Sequence, residues 1–346
     1  MTKVKTVLVV AAVIIPFAVK VWAQTQPQVT TNLERVETRL SKIVVFISVE
    51  INAPTRDSSP TESSRHPEGP ARPTTITGTG FLVSVPDSRL GKDRGFGYLV
   101  TNRHVAEAIE QDERRNCLRH QMQRTYVTMN LKEPVNGRRS DKLLLSFSPQ
   151  IHWFFPQDDA VDLAVLPFAA AEKYDVTTLS SENLITSETL EKQRIVPGDR
   201  VLTAGYFYGY AGLNQIQPMV REGVLAMLPD GPMTTTTCKS GRLYLADVHI
   251  TKGNSGSPIF IIPALGLGAG EGLGGVPSFF GLLGVVSGYM QETSDLTLRA
   301  STTWYASIQA NSGVSAIVPA EQLRELLYST EVQHQRDEIA TRPGPR

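Results

Sequence analysis

From Ile76 onward the chain repeats one simple pattern: a short run of β-branched, aromatic or aliphatic residues, then a turn signal. The runs include "TGTGFLVSV", "GYLVTN", "RTYVTMNL", "KLLLSFSP", "DLAVLPF", "DRVLTAGY", "VREGVLAML", "RLYLADV", "SPIFII", "FFGLLGVVSGY" and "STTWYASI". Many short strands with few helices between them predict an all-β sandwich or barrel. Two stretches break the rhythm. His104–Gln123 reads as a helical insertion, and Pro319–Val332 reads as a C-terminal helix with Leu323, Leu326 and Leu327 on one face.

Upstream of the repeats, Val29–Lys42 places Leu33, Val36 and Leu40 at helical spacing, and Ile43–Ile51 is a β-type run. Residues 52–75 are rich in Pro, Ser, Thr and charge. They hold too little apolar surface to order themselves, so they are expected to form a mobile loop. The organisation that follows is a leader at 1–23, a helix and first strand at 24–51, the loop at 52–75, one domain at 76–330 and a disordered tail at 331–346.

The N-terminus has Lys3 and Lys5, an apolar stretch from Val7 to Val19, and small Val21 and Ala23 before Gln24. This is a secretory signal pattern, with cleavage expected after Ala23 and export to a periplasm or the exterior. An uncleaved segment would instead anchor the chain to a membrane. The 34 basic and 34 acidic side chains cancel, so no global basic excess points to nucleic acid. Cys117 and Cys238 are the two cysteines. Export permits a disulfide between them, and two free thiols fit the sequence equally well. His66, His120, His152 and His334 show no ligand spacing, so no metal and no cofactor are expected.

Three stretches carry chemistry. "GYLVTNRHVA" ends a strand at His104, "DDAVDLAVL" opens a strand after Asp162, and "GNSGSP" exposes Ser255 among small residues. A serine hydroxyl is a weak nucleophile unless a base takes its proton, and imidazole titrates in the right range. The imidazole in turn needs a carboxylate to fix its tautomer, and the oxyanion needs donors already in place. The N–H groups of Gly253 and Ser255 are the candidate donors. The order His104, Asp162, Ser255 excludes an α/β-hydrolase, which runs Ser, acid, His and carries G-x-S-x-G.

These segments, with "VPGDRVLTAGYFYGY", "VREGVLAML" and "GVSAIVPAEQLREL", resemble the chymotrypsin-fold serine peptidases. The nearest branch is the bacterial HtrA/Deg-like one, which shares features with glutamyl endopeptidases. The resemblance spans about residues 43–327. It implies two six-stranded antiparallel β-barrels, a short N-terminal helix and a C-terminal helix. It also implies a catalytic triad of His104, Asp162 and Ser255, with an oxyanion hole at Gly253 and Ser255, acting on polypeptide substrates. HtrA proteins carry PDZ domains after the protease. Only a helix and a short tail follow here, so no PDZ-mediated binding is expected, and the oligomeric state is left open.

The resemblance also places the substrate pocket. Ser287, Gly288 and Tyr289 would form one wall and offer backbone to an extended peptide. His249 and Ile250 lie just before the nucleophile turn. His249 stands where trypsin-like enzymes selecting basic residues carry an acid. Ile250 matches an HtrA isoleucine, which implies a small aliphatic preference. The glycine-rich stretch 264–278 resembles no phosphate loop and reads as a hairpin tip, a candidate for protein docking. Two competing functions share the same motifs: an inactive binding scaffold on a protease fold, and a latent protease held by residues 24–42 or 52–75.

Overall fold

The computed structural model describes residues 36–52, 74–92, 94–111, 116–262, 281–299 and 303–341. The expected leader, most of the 52–75 loop and the glycine-rich 264–278 stretch lie outside these residues.

The first half begins with α1 (Val36–Ile43) and β1 (Val44–Ile51). It continues through β2 (Thr74–Pro86), β3 (Gly95–Thr101), the one-turn helix α2 (Arg103–Ala106), β4 (Ile109–Gln111) and β5 (Cys117–Arg119). Then come β6 (Met122–Val135), β7 (Arg138–Leu144), β8 (Ala164–Pro167) and β9 (Leu179–Ser180). The sheet order is β7-β6-β1-β2-β3-β8, with β9 running parallel beside β2.

After α3 (Ser187–Lys192) the second half adds β10 (Arg200–Gly205), β11 (Met219–Met227), β12 (Met233–Thr234), β13 (Ser240–Gly241) and β14 (Tyr244–Asp247). The last strands are β15 (Pro258–Ile262), β16 (Gly281–Arg299) and β17 (Thr303–Pro319), followed by α4 (Ala320–Leu327) and α5 (Thr330–Thr341). Six strands close a barrel in the order β10-β11-β14-β17-β16-β15. The fold is therefore mostly β and chymotrypsin-like, with few helices.

Alternation along the strands sorts side chains into three cores, because successive residues point to opposite faces. On β1, Val45, Ile47, Val49 and Ile51 face the interior of the first half. Val44 and Phe46 face a core shared by both halves. On β15, Ile259 and Ile261 fill the second barrel, while Phe260 joins the shared core. Both faces are buried, so "IVVFISVEI" and "PIFII" read as nearly unbroken apolar runs.

Four expectations need correction. The helical insertion at His104–Gln123 is one turn of helix followed by the β4–β5 hairpin. Ala108 takes a left-handed backbone (φ 51°), which ends the helix. The C-terminal helix is split, α4 stopping at Leu327 and α5 starting at Thr330. The tail expected to be disordered is helical to Thr341. The helix is tethered through buried Val332, Gln335 and Arg336. Finally, β16 and β17 pair well past the barrel, out to Arg299 and Thr303; the β17 arm takes in "TWYASI", expected as strand, while the facing Gln291–Arg299 was too polar to be read so.

Candidate active site

Both halves deliver residues to one place. β3 runs out at Thr101, and α2 carries His104 two residues after buried Asn102. The Asn102 amide donates to the Asp162 backbone carbonyl at 2.8 Å, which ties the His104 turn to the loop before β8. His104 Nδ1 lies 2.8 Å from Asp162 Oδ2, and the His104 backbone N–H donates to Oδ1 at 2.9 Å. Two bonds to one carboxylate fix both the ring and its tautomer: Nδ1 is the protonated nitrogen, so Nε2 is left as a base.

Asp162 is completely buried. Burial alone would raise its carboxyl pKa. The adjacent His104 imidazole and the hydroxyls of Ser287 (2.6 Å) and Thr236 (2.5 Å), both donating to Oδ2, outweigh burial and hold it below the ordinary value.

The nucleophile segment is a compact turn between β14 and β15. Asn254 Oδ1 accepts from the Thr251 N–H at 2.8 Å, and its amide donates to the Tyr206 carbonyl at 2.9 Å. Ser257 N–H closes onto the Asn254 carbonyl at 2.9 Å. Gly253 and Gly256 both have positive φ, 94° and 88°. A Cβ on Gly256 would run into the Thr79 carbonyl oxygen, and one on Gly253 into the Tyr206 ring. The sequence needs glycine at both positions, for conformation and for space.

Thr79 on β2 locks this turn to the first half. Its N–H donates to the Ser255 carbonyl at 2.8 Å, and its hydroxyl donates to the Gly253 carbonyl at 2.8 Å. The same hydroxyl accepts from the Tyr206 N–H at 2.8 Å. With the Gly253 carbonyl held by Thr79, the N–H groups of Gly253 and Ser255 have no hydrogen-bond partner among the described residues. They remain donors for an anion.

Ser255 Oγ donates to the Ser287 carbonyl at 3.2 Å rather than bonding to His104. The structure thus brings His104 and Asp162 into direct contact. Ser255 is linked to that pair through Ser287, whose carbonyl accepts the Ser255 hydroxyl and whose hydroxyl donates to Asp162.

The expected pocket residues divide. Ser287 is buried, its hydroxyl on Asp162 and its carbonyl on Ser255. Gly288 and Tyr289 follow it, half-buried, on β16, and His249 is exposed. Ile250 corrects the expectation. Its side chain is 1% exposed inside the second barrel, packed with the residues that fill that core, so it cannot touch a substrate. Cys117 and Cys238 are joined, their Cα atoms 6.1 Å apart, which bridges β5 of the first half to the β12–β13 segment of the second.

Three residues of the site escaped the sequence reading: Asn102, Thr79 and Thr236. Asn102 and Thr79 lie within the motifs that pointed to the site, "VTNRHV" and "TGTGF". Thr236 sits in a run of four threonines that carries no signal of its own.

A protein-family model described as "Trypsin-like peptidase domain" matches residues 78–261. No curated protein matches the sequence. Among solved structures, Deg5 aligns at 20% identity over 64% of this chain and 75% of its own, with a TM-score of 0.36. The HtrA-type protease AlgW with a decapeptide aligns at 15% identity over 88% of this chain and 66% of its own, with a TM-score of 0.40. The family assignment rests on the domain match rather than on these overlaps. That match runs from the strand holding Thr79 to the strand behind Ser255 and takes in more than half of the sequence: the chain belongs to the trypsin-like peptidase domain family.

Proposed function

We propose that the protein is an exported serine endopeptidase that cleaves polypeptides through an acyl-enzyme. The observation that carries this reading is the His104–Asp162 pair joined through Ser287 to a serine turn whose Gly253 and Ser255 N–H groups have no partner among the described residues. The motif order of the sequence, similar to HtrA/Deg-like peptidases, supports it, as does the signal-like N-terminus.

The reaction follows from the geometry. An extended peptide laid beside Ser287–Tyr289 needs a backbone acceptor, and the Ser287 carbonyl, which accepts the Ser255 hydroxyl at 3.2 Å, can serve. Its N–H would replace the Ser255 hydroxyl there and free that hydroxyl to turn toward His104 Nε2. His104 takes the proton as Oγ attacks the scissile carbonyl, and Asp162 stabilises the imidazolium. The oxyanion is met by the N–H groups of Gly253 and Ser255. His104 then passes the proton to the leaving amine. Water, deprotonated by His104, hydrolyses the ester and restores Ser255.

A latent form of the same enzyme is favoured by one observation, the Ser255–Ser287 hydrogen bond, which keeps nucleophile and base apart until a substrate or activator displaces it.

A fluorophosphonate probe tests the reading. Label on the mature protein that is lost in Ser255→Ala supports an active peptidase. A folded protein that never labels, even with peptide present, supports an inactive scaffold. Cleavage of a peptide library then defines the residue recognised beside exposed His249. Amino-terminal sequencing of the protein from the cell exterior or periplasm tests export, and Gln24 is the expected first residue.

A further inference from the structure

The Asp162 carboxylate has one more partner than the charge-stabilising scheme requires. Oδ2 receives His104 Nδ1 at 2.8 Å, Ser287 Oγ at 2.6 Å and Thr236 Oγ1 at 2.5 Å. Thr236 and Ser287 hydroxyls also lie 2.6 Å apart, so the three oxygens form a closed triangle beneath the imidazole. Ser287 sits at a bulge on barrel strand β16, held between the register pairs Val286–Ile317 and Gly288–Ala316. Thr236 belongs to the turn between β12 and β13, a pair of two-residue strands that cannot fix much alone.

That turn is held by other means. Thr235 N–H donates to the Lys239 carbonyl at 2.8 Å, and Cys238 N–H to the Thr235 carbonyl at 3.1 Å. Thr237 Oγ1 donates to the Asp159 carbonyl at 2.9 Å, three residues before the triad carboxylate. Two residues after Thr236, Cys238 is bonded to Cys117 at the end of the β4–β5 hairpin, which follows the His104 turn in the chain. The bridge therefore connects the hairpin next to the base with the turn that touches the carboxylate, across 121 residues of sequence.

We propose that Thr236 is a positioning residue for the His104–Asp162 pair, set in place by the Cys117–Cys238 bridge. This rests on the peptidase reading only for its catalytic consequence. A hydroxyl donating to Oδ2 disperses the carboxylate charge and fixes its plane. Remove it, and the carboxylate holds the His104 proton more tightly, so the imidazole pKa rises and the base is in its working form over less of the pH range. Other charged groups nearby are already paired: Arg103 with Glu107 at 3.0 Å and Asp159 at 2.8 Å, Arg119 with Glu107 at 3.0 Å, and His120 with Glu110 at 3.2 Å. None of them reaches Oδ2 to take over the role of Thr236. Reduction would act at the same point. A dithiol passes two electrons and two protons to the bridge, leaving two thiols and the reagent as its own disulfide, and the Thr236 turn loses its tether.

The test is an NMR titration of the His104 imidazole, assigned by its absence in His104→Ala, in the full chain. In Thr236→Val the midpoint rises by about half a pH unit or more. The acid limb of kcat/KM moves with it, and kcat/KM falls about tenfold. Thr236→Ser, which keeps the hydroxyl, returns both toward wild type. The double variant Cys117→Ser/Cys238→Ser, and wild type reduced with dithiothreitol, shift in the same direction as Thr236→Val. A folded Thr236→Val with an unmoved His104 midpoint overturns the positioning role. If Thr236→Val does not fold, an unmoved midpoint in the bridge variant overturns the proposal instead. Wild type that never takes a fluorophosphonate sinks the peptidase reading, while the imidazole midpoint still decides where Thr236 acts.

Discussion

Asp162 is a buried carboxylate accepting from a backbone N–H, an imidazole and two hydroxyls, and its lowered pKa has a consequence for stability. A carboxyl whose folded pKa lies below its ordinary 3.8 contributes stability that is fully present above that value. The contribution is lost as pH falls from 3.8 through the lower folded value. Urea midpoints measured from pH 6 down to 2.5 should therefore fall less steeply for Asp162→Asn than for wild type across that window. In the same variant kcat should drop by about 10⁴, because an amide cannot enforce the tautomer. Equal acid sensitivity of the two proteins would remove Asp162 from the linkage. Thr79 offers a second test. Thr79→Val leaves the Tyr206 N–H unpaired and frees the Gly253 carbonyl. We expect kcat to fall by about 10²-fold with KM little changed, and Thr79→Ser to recover most of it. An equal loss in KM and kcat would point to general loosening instead. At this scale His104, Asp162 and Ser255 stood out in the sequence because each lay in a recognisable setting, and His104 and Asp162 do meet. The hydroxyls of Thr79, Ser287 and Thr236 did not stand out. A threonine is ordinary in a strand or turn, and their partners lie 74 to 174 residues away.

Elements were readable where hydrophobic periodicity was their cause. Barrel strands β10, β14 and β15 and helix α4 bury what their patterns say they should, while β11 buries only Leu225. Reading failed where the cause was tertiary. "HVAEAIEQDERRNCLRHQMQ" has the composition of a helix, yet Cys117 is required at Cys238 and the chain turns back as a hairpin to reach it. The polar C-terminal sequence looked like a tail because its anchor is an arginine. Arg336 is buried, donating to the Leu327 carbonyl at 2.6 Å and to the Tyr98 hydroxyl at 3.3 Å. It therefore caps the end of α4 and fastens α5 to β3. Burial pushes the Tyr98 hydroxyl pKa up to about 12, against a smaller opposing effect of Arg336, so this contact keeps its proton through any physiological pH. Arg336→Ala leaves that helix-end carbonyl without its donor, and should cost about 1–3 kcal/mol in urea unfolding. A variant as stable as wild type would mean that α5 is held by Val332 and its apolar neighbours alone.

For the whole molecule, the decisive feature is that the core between the two halves is contiguous. It joins Phe81, Tyr98 and Val100 of the first half to Leu202, Phe260 and Val285 of the barrel, and α4 covers it with Leu323, Leu326 and Leu327. A candidate site assembled from both halves can stay aligned only if that core does not slide. The sequence implied two barrels but not this shared core, since alternation shows that a residue is buried and never which neighbour buries it. Two halves with separate cores would melt separately. Halves sharing one should unfold together. Phe260→Ala removes a fully buried ring from the shared core and should destabilise by about 3–5 kcal/mol. If the core couples the halves, calorimetry will give a single transition at lower temperature, and Trp153 fluorescence in the first half, read in a Trp22→Phe/Trp304→Phe background, will change at the same midpoint as far-UV circular dichroism. Ile259→Ala, one residue away but inside the barrel, should also lower a single transition. Two resolved transitions in either variant, with Trp153 following only one, would show that the halves fold independently and that the Cys117–Cys238 bridge, rather than packing, keeps the His104–Asp162 pair beside the Ser255 turn.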